Sequence, residues 1–486
     1  MCLCDASDEQ HKEIEAICKE AARADTRIKY KRLLRNGGIS TNTNECIAIS
    51  SGNYFALLDH DDMLHPDALL EVARAIKECG ADFVYTDEAK FRNDPQKCFA
   101  ANFKPDFAKD DLRSHNYICH LTVYSRQLLE RVGCYSSEYD GSQDHDMVLR
   151  MTECAERIVH IPRVLYFWRV HENSVSADVG VKSYAVEAAH KAVAAQLQRT
   201  GEAGNVSGIA PYQTIYKIDY MLPTPKPVIS VIVYGLHGNT QLRECINAME
   251  TTTRYFPMEV LLVEENGNYD ELKKEIRSIP TTKPVSIVRT TETASPCDGI
   301  NQAVNESIGS YILLLKADTT IISPKWATEM IMFSQRNDVG AVGGKVYKKE
   351  SRKLISAGIA LDGSSATRLH NMFHGEAYSS HGYEAGLCHV RNVTAVGEEC
   401  LMFAKEKYIK VGGLDPAMGA YAIVDLCLKF RKSGLLNVVT PFVRVLSERR
   451  KVRSEKEMRY FSAVWKEEIE SGDPYYNPNL KKLKLM

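Results

Sequence analysis

The stretch NYFALLDHDD at residues 53–62 is an apolar strand that runs directly into a polar tip with three carboxylates. A second stretch, SYILLLKADT at residues 310–319, repeats the pattern with one carboxylate beside a lysine. A buried strand can hold such side chains rigidly at its carboxyl end, where open α/β sheets bind ligands. The pair therefore predicts a duplicated fold in which one copy has a metal-competent site.

Short apolar strands alternate with amphipathic helices along the chain, which predicts an α/β fold with a largely parallel sheet covered on both faces. The alternation stops between residues 201 and 226, where several glycines and the run LPTPKP at residues 222–227 are incompatible with a helix. The pattern restarts at residue 228. We therefore predict two domains, at residues 1–200 and 227–486, joined by a linker at residues 201–226.

The first copy begins later in the pattern than the second. In the second copy a predicted strand and helix at residues 228–251 precede the strand EVLLVEENG at residues 259–267. The matching CLCDAS of the first copy begins at residue 2. The first domain is therefore expected to lack one β-α unit at its N-terminal side and to expose a strand edge. A misassigned start or a truncated gene product would account for this.

Charge and cysteine usage exclude several classes of protein. Sixty-one basic and 63 acidic residues give a net charge of −2, so we expect no nucleic acid as a partner. The 14 cysteines are scattered, which favours reduced thiols in the cytosol. No apolar run approaches the roughly 20 residues of a membrane span. We expect a cytoplasmic protein, either free or peripherally bound to the inner face of the cell membrane through a basic tail.

The carboxylates Asp59 and Asp61 follow the first apolar strand, and Pro66 suits the first turn of a helix beyond them. Oxygens at such a strand end can bind Mg²⁺ or Mn²⁺ while leaving coordination positions open for phosphate. The alternative is a solvated loop with a helix N-cap. The buried strand that precedes the carboxylates favours the metal site.

Two further segments contain candidate site residues. Asp144 opens a predicted helix in GSQDHD at residues 141–146, where a carboxylate usually caps the helix but can also take a proton from a substrate hydroxyl. The segment YFWRVHENS at residues 166–174 contains Arg169 and His171, which could contact a diphosphate or the metal. Its Trp and Tyr side chains offer faces on which a sugar can stack, but aromatic residues near a strand end are equally typical of a protein core.

The order and separation of these three segments resemble the family-2 glycosyltransferases of the GT-A fold. Further matches in the first copy are NGGIS at 36–40 with Asn44, YTDE at 85–88, FKPD at 103–106 and HIP at 160–162. The second copy resembles the same superfamily through GAVG at 340–343, VGGLD at 411–415, VDLCL at 424–428 and DPYYNPNL at 473–480. The likeness covers nearly the whole chain and is to a two-domain bacterial type that builds surface polysaccharides.

The resemblance implies two tandem GT-A domains that are Rossmann-like, with mostly parallel sheets. It implies that Asp59 and Asp61 bind the metal and the diphosphate of a nucleotide-diphosphate sugar, that Asp144 is the catalytic base and that Asp5 contacts the nucleobase. The expected reaction is an inverting transfer to a glycan or lipid-linked glycan acceptor. One base suffices for it, whereas a glycosidase needs two carboxylates that flank the scissile bond.

The second copy departs from the first where chemistry is expected. The substituted pairs, second copy first, are Lys316 for Asp59, Ile423 for Asp144 and Arg450 for His171. A cation in the place of a metal ligand repels M²⁺ by roughly 8 kcal/mol at ~4 Å and an effective dielectric near 20. A lysine could replace the metal as a phosphate partner, but an isoleucine cannot replace a base. We expect a catalytically weakened second domain that binds the acceptor glycan or the first domain.

Two other functional classes stay open. A truncated first domain and a degenerate second one would together make a glycan- or nucleotide-binding scaffold derived from a glycosyltransferase. A metal-dependent phosphohydrolase could use Asp59 and Asp61 instead. The sequence favours it less, because no clustered His and Asp ligand set suitable for two metals accompanies this pair.

Overall fold

A computed structural model describes residues 1–170, 183–236, 239–264, 267, 269–291, 295–448 and 453–483. The chain divides into two compact units. Unit 1 comprises Met1–Phe107 and His115–Ile218, and unit 2 comprises Ala108–Ser114 and Asp219–Met486. Each unit combines helices with a mixed sheet, so the predicted α/β class is confirmed. None of the helices in the described ranges is long and apolar enough to cross a bilayer.

The N-terminal part of the chain forms ten strands and seven helices among its described residues. The strands are β1 (Cys2–Asp5), β2 (Lys29–Arg32), β3 (Tyr54–Ala56), β4 (Met63–Leu64), β5 (Phe83–Phe91), β6 (Phe99–Asn102), β7 (Thr122–Ser125), β8 (Ile158–Arg169), β9 (Gly204–Ile209) and β10 (Tyr212–Tyr220). The helices are α1 (Lys12–Ala24), α2 (Ile39–Ile49), α3 (Ala68–Cys79), α4 (Lys109–Ser114), α5 (Arg126–Val132), α6 (Gln143–Cys154) and α7 (Ser183–Arg199).

The C-terminal part follows the same alternation. Its strands are β11 (Ile229–Tyr234), β12 (Met258–Val263), β13 (Val285–Val288), β14 (Tyr311–Lys316), β15 (Thr319–Ile321), β16 (Val339–Lys348), β17 (Leu354–Ser356), β18 (Ile359–Leu361), β19 (Leu369–Asn371), β20 (Arg391–Val393), β21 (Cys400–Ala404) and β22 (Leu436–Ser447). Its helices are α8 (Asn239–Thr252), α9 (Tyr269–Ser278), α10 (Pro296–Glu306), α11 (Trp326–Ser334), α12 (Lys405–Lys410), α13 (Ala422–Lys432), α14 (Glu455–Val464) and α15 (Lys466–Ser471).

The main sheet of unit 1 has the strand order β3-β7-β5-β8-β4, with β6 added to β5. The two long strands β5 and β8 run parallel, and the flanking pairs are antiparallel. Strands β1 and β2 form a separate two-stranded parallel sheet. The core under the main sheet is apolar and includes Ala68 and Val72 of α3 with Leu165 of β8. The acidic segment at residues 59–62 follows the carboxyl end of β3 in the chain.

The main sheet of unit 2 has the order β13-β12-β11-β14-β21-β16-β22-β15. The first four strands are parallel, and β21 pairs antiparallel with both β14 and β16. The apolar run of β14 is buried on both faces, because helices cover this parallel part of the sheet. Its last residue, Lys316, lies at the carboxyl edge of the sheet.

The boundary between the units differs from the predicted linker. Residues 204–220 form the β9–β10 hairpin, and the described units divide after Ile218. The glycines and Pro211 lie in or beside this hairpin. Alternating side chains of β10 are buried, and Tyr216 stacks on His145 with ring centroids 6.0 Å apart.

Helix α4 also differs from its predicted place in the first domain, because it belongs to unit 2. Asp110 of α4 is buried and forms an ion pair with Arg336, which is also buried. The side chain of Asn392 donates to Asp110 over 2.8 Å, and its backbone N–H donates to Asp111 over 2.7 Å. A buried carboxylate needs such partners, which no periodicity in the sequence reveals.

Candidate functional site

Side chains from two distant parts of unit 1 meet beyond the end of β3. Ligand atoms of Asp59, Asp62 and His120 all lie within 4.8 Å of one another. The two carboxylates offer the oxygen donors that Mg²⁺ and Mn²⁺ prefer, and the imidazole adds a nitrogen donor, which favours a transition metal such as Mn²⁺ over Mg²⁺. This set, here called the Asp59 cluster, therefore fits a divalent cation.

Asp62 is held in this cluster by β8. The Tyr166 hydroxyl donates to Asp62 Oδ2 over 2.5 Å, and the backbone N–H of Arg169 donates to Oδ1 over 2.7 Å. Burial raises the pKa of Asp62, although both hydrogen bonds act against that increase. Burial and the Asp62 carboxylate raise the pKa of Tyr166 far above its usual value, so the phenol remains a donor. Each Asp62 oxygen keeps a second lone pair for a cation.

The imidazole of His120 is fixed between aromatic rings of β8. It stacks on Tyr166 with centroids 4.8 Å apart and meets the edge of Trp168 at 5.7 Å. Its backbone N–H donates to Glu88 over 3.2 Å. The aromatic residues of the segment at 166–174 thus orient a possible metal ligand.

A buried ion pair anchors the loop at residues 115–121 that bears His120. Lys104 Nζ lies 3.1 Å from Glu88 Oε2, and the Lys104 side chain is fully buried. The same ammonium donates to the carbonyl oxygens of Ile118 and His120, over 2.8 and 2.5 Å. Three acceptors compensate the burial of this charge. Lys104 of the FKPD segment and Glu88 of the YTDE segment therefore fix the position of this loop.

A second network lies beside the first, in which the side chains of His160 and Asp87 are buried and that of Asp106 is exposed. His160 Nε2 is 2.9 Å from Asp87, and its Nδ1 is 3.0 Å from Asp106. The ring stacks on Tyr85 with centroids 4.8 Å apart. Burial alone would lower the pKa of His160, but hydrogen bonds and charge from both carboxylates outweigh it and raise that pKa. The network braces β5 against β8.

Asp144 lies in the first turn of α6 and is half-buried. Asn116 Nδ2 donates to Asp144 Oδ2 over 2.9 Å. The N-cap position of α6 belongs to Ser142, which makes no side-chain cap hydrogen bond, whereas Asp144 Oδ1 accepts from the backbone N–H of His145 in the first turn over 2.8 Å, as a capping role predicts. Asn116 is four residues before His120 on the anchored loop, and four residues span at most about 14 Å. One loop therefore reaches both Asp144 and the Asp59 cluster.

The other predicted residues have different surroundings. Arg169 Nε donates to the carbonyl oxygen of Asp61 over 2.6 Å, and the guanidinium lies 4.4 Å from the ring centre of Phe91. Arg169 therefore shapes the turn at the strand tip. The role of the Asp61 carboxylate as a metal ligand stays a prediction. His171 lies outside the described residues.

Asp5 ends β1 and is buried. It accepts hydrogen bonds from the Ser7 N–H over 2.7 Å, the Tyr30 hydroxyl over 2.9 Å and Arg32 Nη1 over 2.7 Å. Burial opposes ionisation, but these hydrogen bonds outweigh it and lower the pKa of Asp5 to about 2. The predicted contact of Asp5 with the nucleobase stays a prediction.

The sequence did not predict His120 or Asn116 as site residues, and it singled out Tyr166 only as part of the aromatic segment at 166–174, not as a partner of Asp62. His120 is far from the acidic segment in the chain, and a lone histidine has no spacing signal. The only available signal was indirect. The YTDE and FKPD segments matched a known pattern without an assigned role, and the structure shows that Glu88 and Lys104 hold the loop of His120.

Strand registers identify the counterpart of this site in unit 2. Tyr54 of β3 pairs with Ser125, and Tyr311 of β14 pairs with Ala404; each partner is the N-cap of the next helix. Counting along these strands places three pairs at the same positions, unit 1 first: Asp59 and Lys316, Asp62 and Thr319, His120 and Glu399. The predicted alignment of Lys316 with Asp59 therefore agrees with the strand pairing.

Unit 2 has an ion pair at the position of the Asp59 cluster. Lys316 Nζ lies 2.6 Å from Glu398 Oε1, and both side chains are largely buried. A neighbouring pocket of about 470 Å³ is lined by Glu398, Glu399 and Ile423, among others. Ile423 is the residue that the sequence aligns with Asp144, and Arg450 lies outside the described residues.

Two curated proteins are similar to nearly the whole of this chain. The uncharacterized protein y4gI of Sinorhizobium fredii is 32% identical over 98% of this chain and 54% of its own length. The O-antigen biosynthesis protein RfbC of Myxococcus xanthus is 30% identical over 98% of this chain and 37% of its own length. The chain thus spans about half of the length of the first relative and little more than a third of the length of the second.

Among solved structures, that of GalNAc-T7 with UDP, GalNAc and Mn²⁺ aligns with 55% of this chain and 52% of its own. Its TM-score is 0.40 at 13% identity. The family model described as glycosyl transferase family 2 matches residues 5–133 and 230–376, which together exceed half of the chain. One matched range begins in each unit, and the chain belongs to glycosyl transferase family 2.

Proposed function

We propose that unit 1 transfers a sugar from a nucleotide-diphosphate donor to a glycan acceptor, with inversion at the anomeric carbon. The main supporting observation is that one anchored loop contacts Asp144 through Asn116 and places His120 in the Asp59 cluster. A base and a diphosphate-binding group must be held in a fixed arrangement around one substrate, and a shared anchored loop provides this. The name of the Myxococcus relative supports surface polysaccharide synthesis as the setting.

Asp59, Asp62 and His120 would hold Mg²⁺ or Mn²⁺, with Asp61 beside them. The cation would supply positive charge that stabilises the leaving diphosphate. Tyr166 and the Arg169 backbone keep the Asp62 oxygens aimed at the cluster. Arg169 itself is bound to the strand tip, so we assign it an orienting role rather than a direct contact with the donor.

Asp144 acts as the base in this proposal. It takes the proton of an acceptor hydroxyl as that oxygen attacks the anomeric carbon and the bond to the diphosphate oxygen breaks. Asn116 fixes one Asp144 oxygen through its amide N–H. The Asn116 Oδ1 atom is buried and has no hydrogen-bond partner in the described part of the chain.

The acceptor is a glycan or lipid-linked glycan, and the place of action is the cytoplasm or the inner face of the cell membrane. We infer that unit 2 binds glycan without catalysis. The supporting observation is the Lys316–Glu398 ion pair, which stands where unit 1 has a candidate metal ligand. Ile423 beside the neighbouring pocket offers no base.

The test is to incubate the chain with a panel of UDP-, dTDP- and GDP-sugars and to measure its melting temperature. A donor at 100 times its Kd adds about 2.7 kcal/mol of stability. Product formation is then followed with the best donor and a set of glycans. If a donor stabilises the chain but no sugar is transferred to any glycan, the scaffold alternative is favoured. Release of phosphate would favour the phosphohydrolase.

A further inference from the structure

Two cations lie side by side in the main sheet of unit 2. Lys345 of β16 pairs directly with Arg444 of β22, and the two strands run parallel at this point. Directly paired residues of neighbouring strands direct their side chains to the same face of the sheet. Like charges in this arrangement repel each other. The fold therefore brings two positive charges together at a place where a negative charge would be stabilising.

The Lys345 ammonium forms no salt bridge with any described residue. Lys345 is 6% exposed, and its Nζ donates to the carbonyl oxygen of Leu387 over 2.9 Å. An ammonium has three donors, so this one bond leaves most of its capacity unused. Burial, followed by the charge of Arg444, lowers the pKa of Lys345 to about 8. A buried cation of this kind costs stability until a negative group pairs with it.

Arg391 of β20 adds a third positive charge, which also lowers the pKa of Lys345. Arg391 is 6% exposed, and its Nη2 donates to the carbonyl oxygen of Ala357 over 2.6 Å. Its Nε is buried and has no hydrogen-bond partner among the described residues. Burial lowers the pKa of Arg391 to about 10, although the charge of Asp111 acts against that decrease. An unpaired buried donor of this kind is typical of a place where an ion or a water molecule binds.

The segment at residues 373–391 contacts these cations. It contributes the Leu387 carbonyl oxygen and the Phe373 ring, whose centre lies 4.7 Å from the Arg391 guanidinium. Three of its non-glycine residues, Phe373, Glu384 and Ala385, have left-handed φ angles of 60°, 47° and 54°. Such conformations cost energy and cluster at active sites and ligand clamps. The backbone strain therefore coincides with the unpaired cations.

Unit 1 has a partnered carboxylate at the position of Lys345. Counting along two pairs of strands, β5 with β7 and β16 with β21, gives Asp87 and Lys345 the same position. Asp87 lies 2.9 Å from Nε2 of His160, and its direct partner on β8 is Val164. The direct partner of Lys345 is Arg444. The pair of cations is therefore specific to unit 2 and is not a requirement of the shared fold.

The pair of cations reaches the surface beside Tyr378. Arg444 is partly exposed, its Nη1 donates to the Tyr378 hydroxyl over 3.0 Å, and its guanidinium lies 5.4 Å from the centre of that ring. Tyr378 is 38% exposed. A guanidinium can bind both oxygens of a carboxylate or phosphate, and an aromatic ring with a polar tip offers a face for a sugar.

We propose that unit 2 binds an acidic sugar at Lys345 and Arg444, which pair with its carboxylate or phosphate group while Tyr378 packs against its ring. The assignment of a sugar rests on the proposed glycan-binding role of unit 2. The need for an anion rests on the buried cations alone. Inorganic phosphate therefore tests the site independently of the sugar.

The test is calorimetry with the full chain in metal-free buffer, so that no cation at the Asp59 cluster contributes. The probes are glucuronate, glucose 1-phosphate, inorganic phosphate and, as the neutral control, glucose. We expect one or both acidic sugars to bind roughly tenfold or more tightly than glucose, and the tighter one identifies the anionic group. Lys345→Met and Arg444→Met should each weaken that binding by roughly tenfold or more, because each removes a charged donor. Lys410→Met, at an exposed lysine of α12, should not.

Proton uptake gives a second measurement that does not depend on glycosyl transfer. A bound anion favours the charged form of Lys345, so about half a proton should be taken up per site at pH 8. The neighbouring groups Arg391 and Arg444 stay charged at this pH, and burial raises the pKa of Cys388, so its thiol stays neutral. Lys345→Met should therefore remove the uptake. Titrations in two buffers with different heats of ionisation measure it.

The stability of the unliganded protein distinguishes this role from a structural one. Lys345→Met should be at least as stable as the wild type in urea unfolding, because it removes a buried charge that forms no salt bridge with a described residue. A less stable variant would show that the Leu387 carbonyl oxygen satisfies the ammonium, and it would overturn the proposal. So would the absence of binding by any anion, or equal binding by the wild type and both methionine variants. Binding of inorganic phosphate but of neither acidic sugar would overturn the sugar and leave the anion site in place.

Discussion

Lys316 Nζ lies 2.6 Å from Glu398 Oε1, at the strand-tip position that Asp59 occupies in unit 1. The two charges neutralise each other in a largely buried place. In unit 2 the strand-tip cation is therefore the lysine itself, with Glu398 as its counter-charge, whereas the Asp59 cluster of unit 1 offers two carboxylates and an imidazole as donors. The same strand-tip position therefore has an ion pair in unit 2 and a candidate metal ligand in unit 1.

The first prediction concerns the stability of this ion pair. Glu398→Gln should destabilise the protein by about 3 to 5 kcal/mol, because it leaves the Lys316 charge without its carboxylate. Lys316→Met with Glu398→Met should cost much less, since neither charge then remains. Urea unfolding of the three proteins measures both values. Equal losses in the single and double variants would contradict this account.

The second prediction is that a cation binds at the Asp59 cluster. Asp59→Ala and His120→Ala should each weaken Mn²⁺ binding at least tenfold in calorimetry and abolish transfer, because each removes a donor atom. Asp61→Ala should also abolish transfer, and its matched control is Asp318→Ala at the corresponding position of unit 2, which should leave the transfer rate within about twofold. Full turnover in excess EDTA would argue against the metal.

The third prediction separates binding from chemistry at Asp144. Asp144→Asn should lower turnover by roughly 10² to 10⁴, the usual contribution of a general base, with donor affinity nearly unchanged. Asn116→Ala should have a smaller effect, because it only orients the carboxylate. The measurement is turnover and donor Kd for each variant. A collapse of donor affinity with turnover preserved would make Asp144 a binding residue.

The fourth prediction concerns pH. The pKa of His160 is raised in the folded protein by Asp87 and Asp106 against the effect of burial. Its contribution to stability is therefore fully present below the unfolded pKa of about 6.5 and is lost as pH rises through the folded pKa. Urea unfolding from pH 5 to 9 should show this decline in the wild type. His160→Gln should flatten it, and an unchanged profile would refute the assignment.

The periodic features of the fold could be predicted from the sequence. The helix predicted to open within residues 141–146 is α6, which begins at Gln143, and the two apolar strands predicted within residues 53–62 and 310–319 are β3 and β14. Features that depend on pairing between distant residues could not. His120 becomes a candidate ligand only through β7 and the Lys104 anchor, and Asp110 binds a partner more than 200 residues away. The glycines near residue 204 indicated a linker, although they belong to a hairpin.

The place of α4 determines how this protein can be divided experimentally. Arg336 in unit 2 receives its buried carboxylate from Asp110, which the chain supplies 226 residues earlier. A fragment that starts at the hairpin would keep the ion pair of Arg336 with Asp338 but lose the buried carboxylate of Asp110, which also accepts from the side chain of Asn392. A single cut in the chain therefore cannot separate the two units, because unit 2 contains residues 108–114 as well as the C-terminal half of the chain.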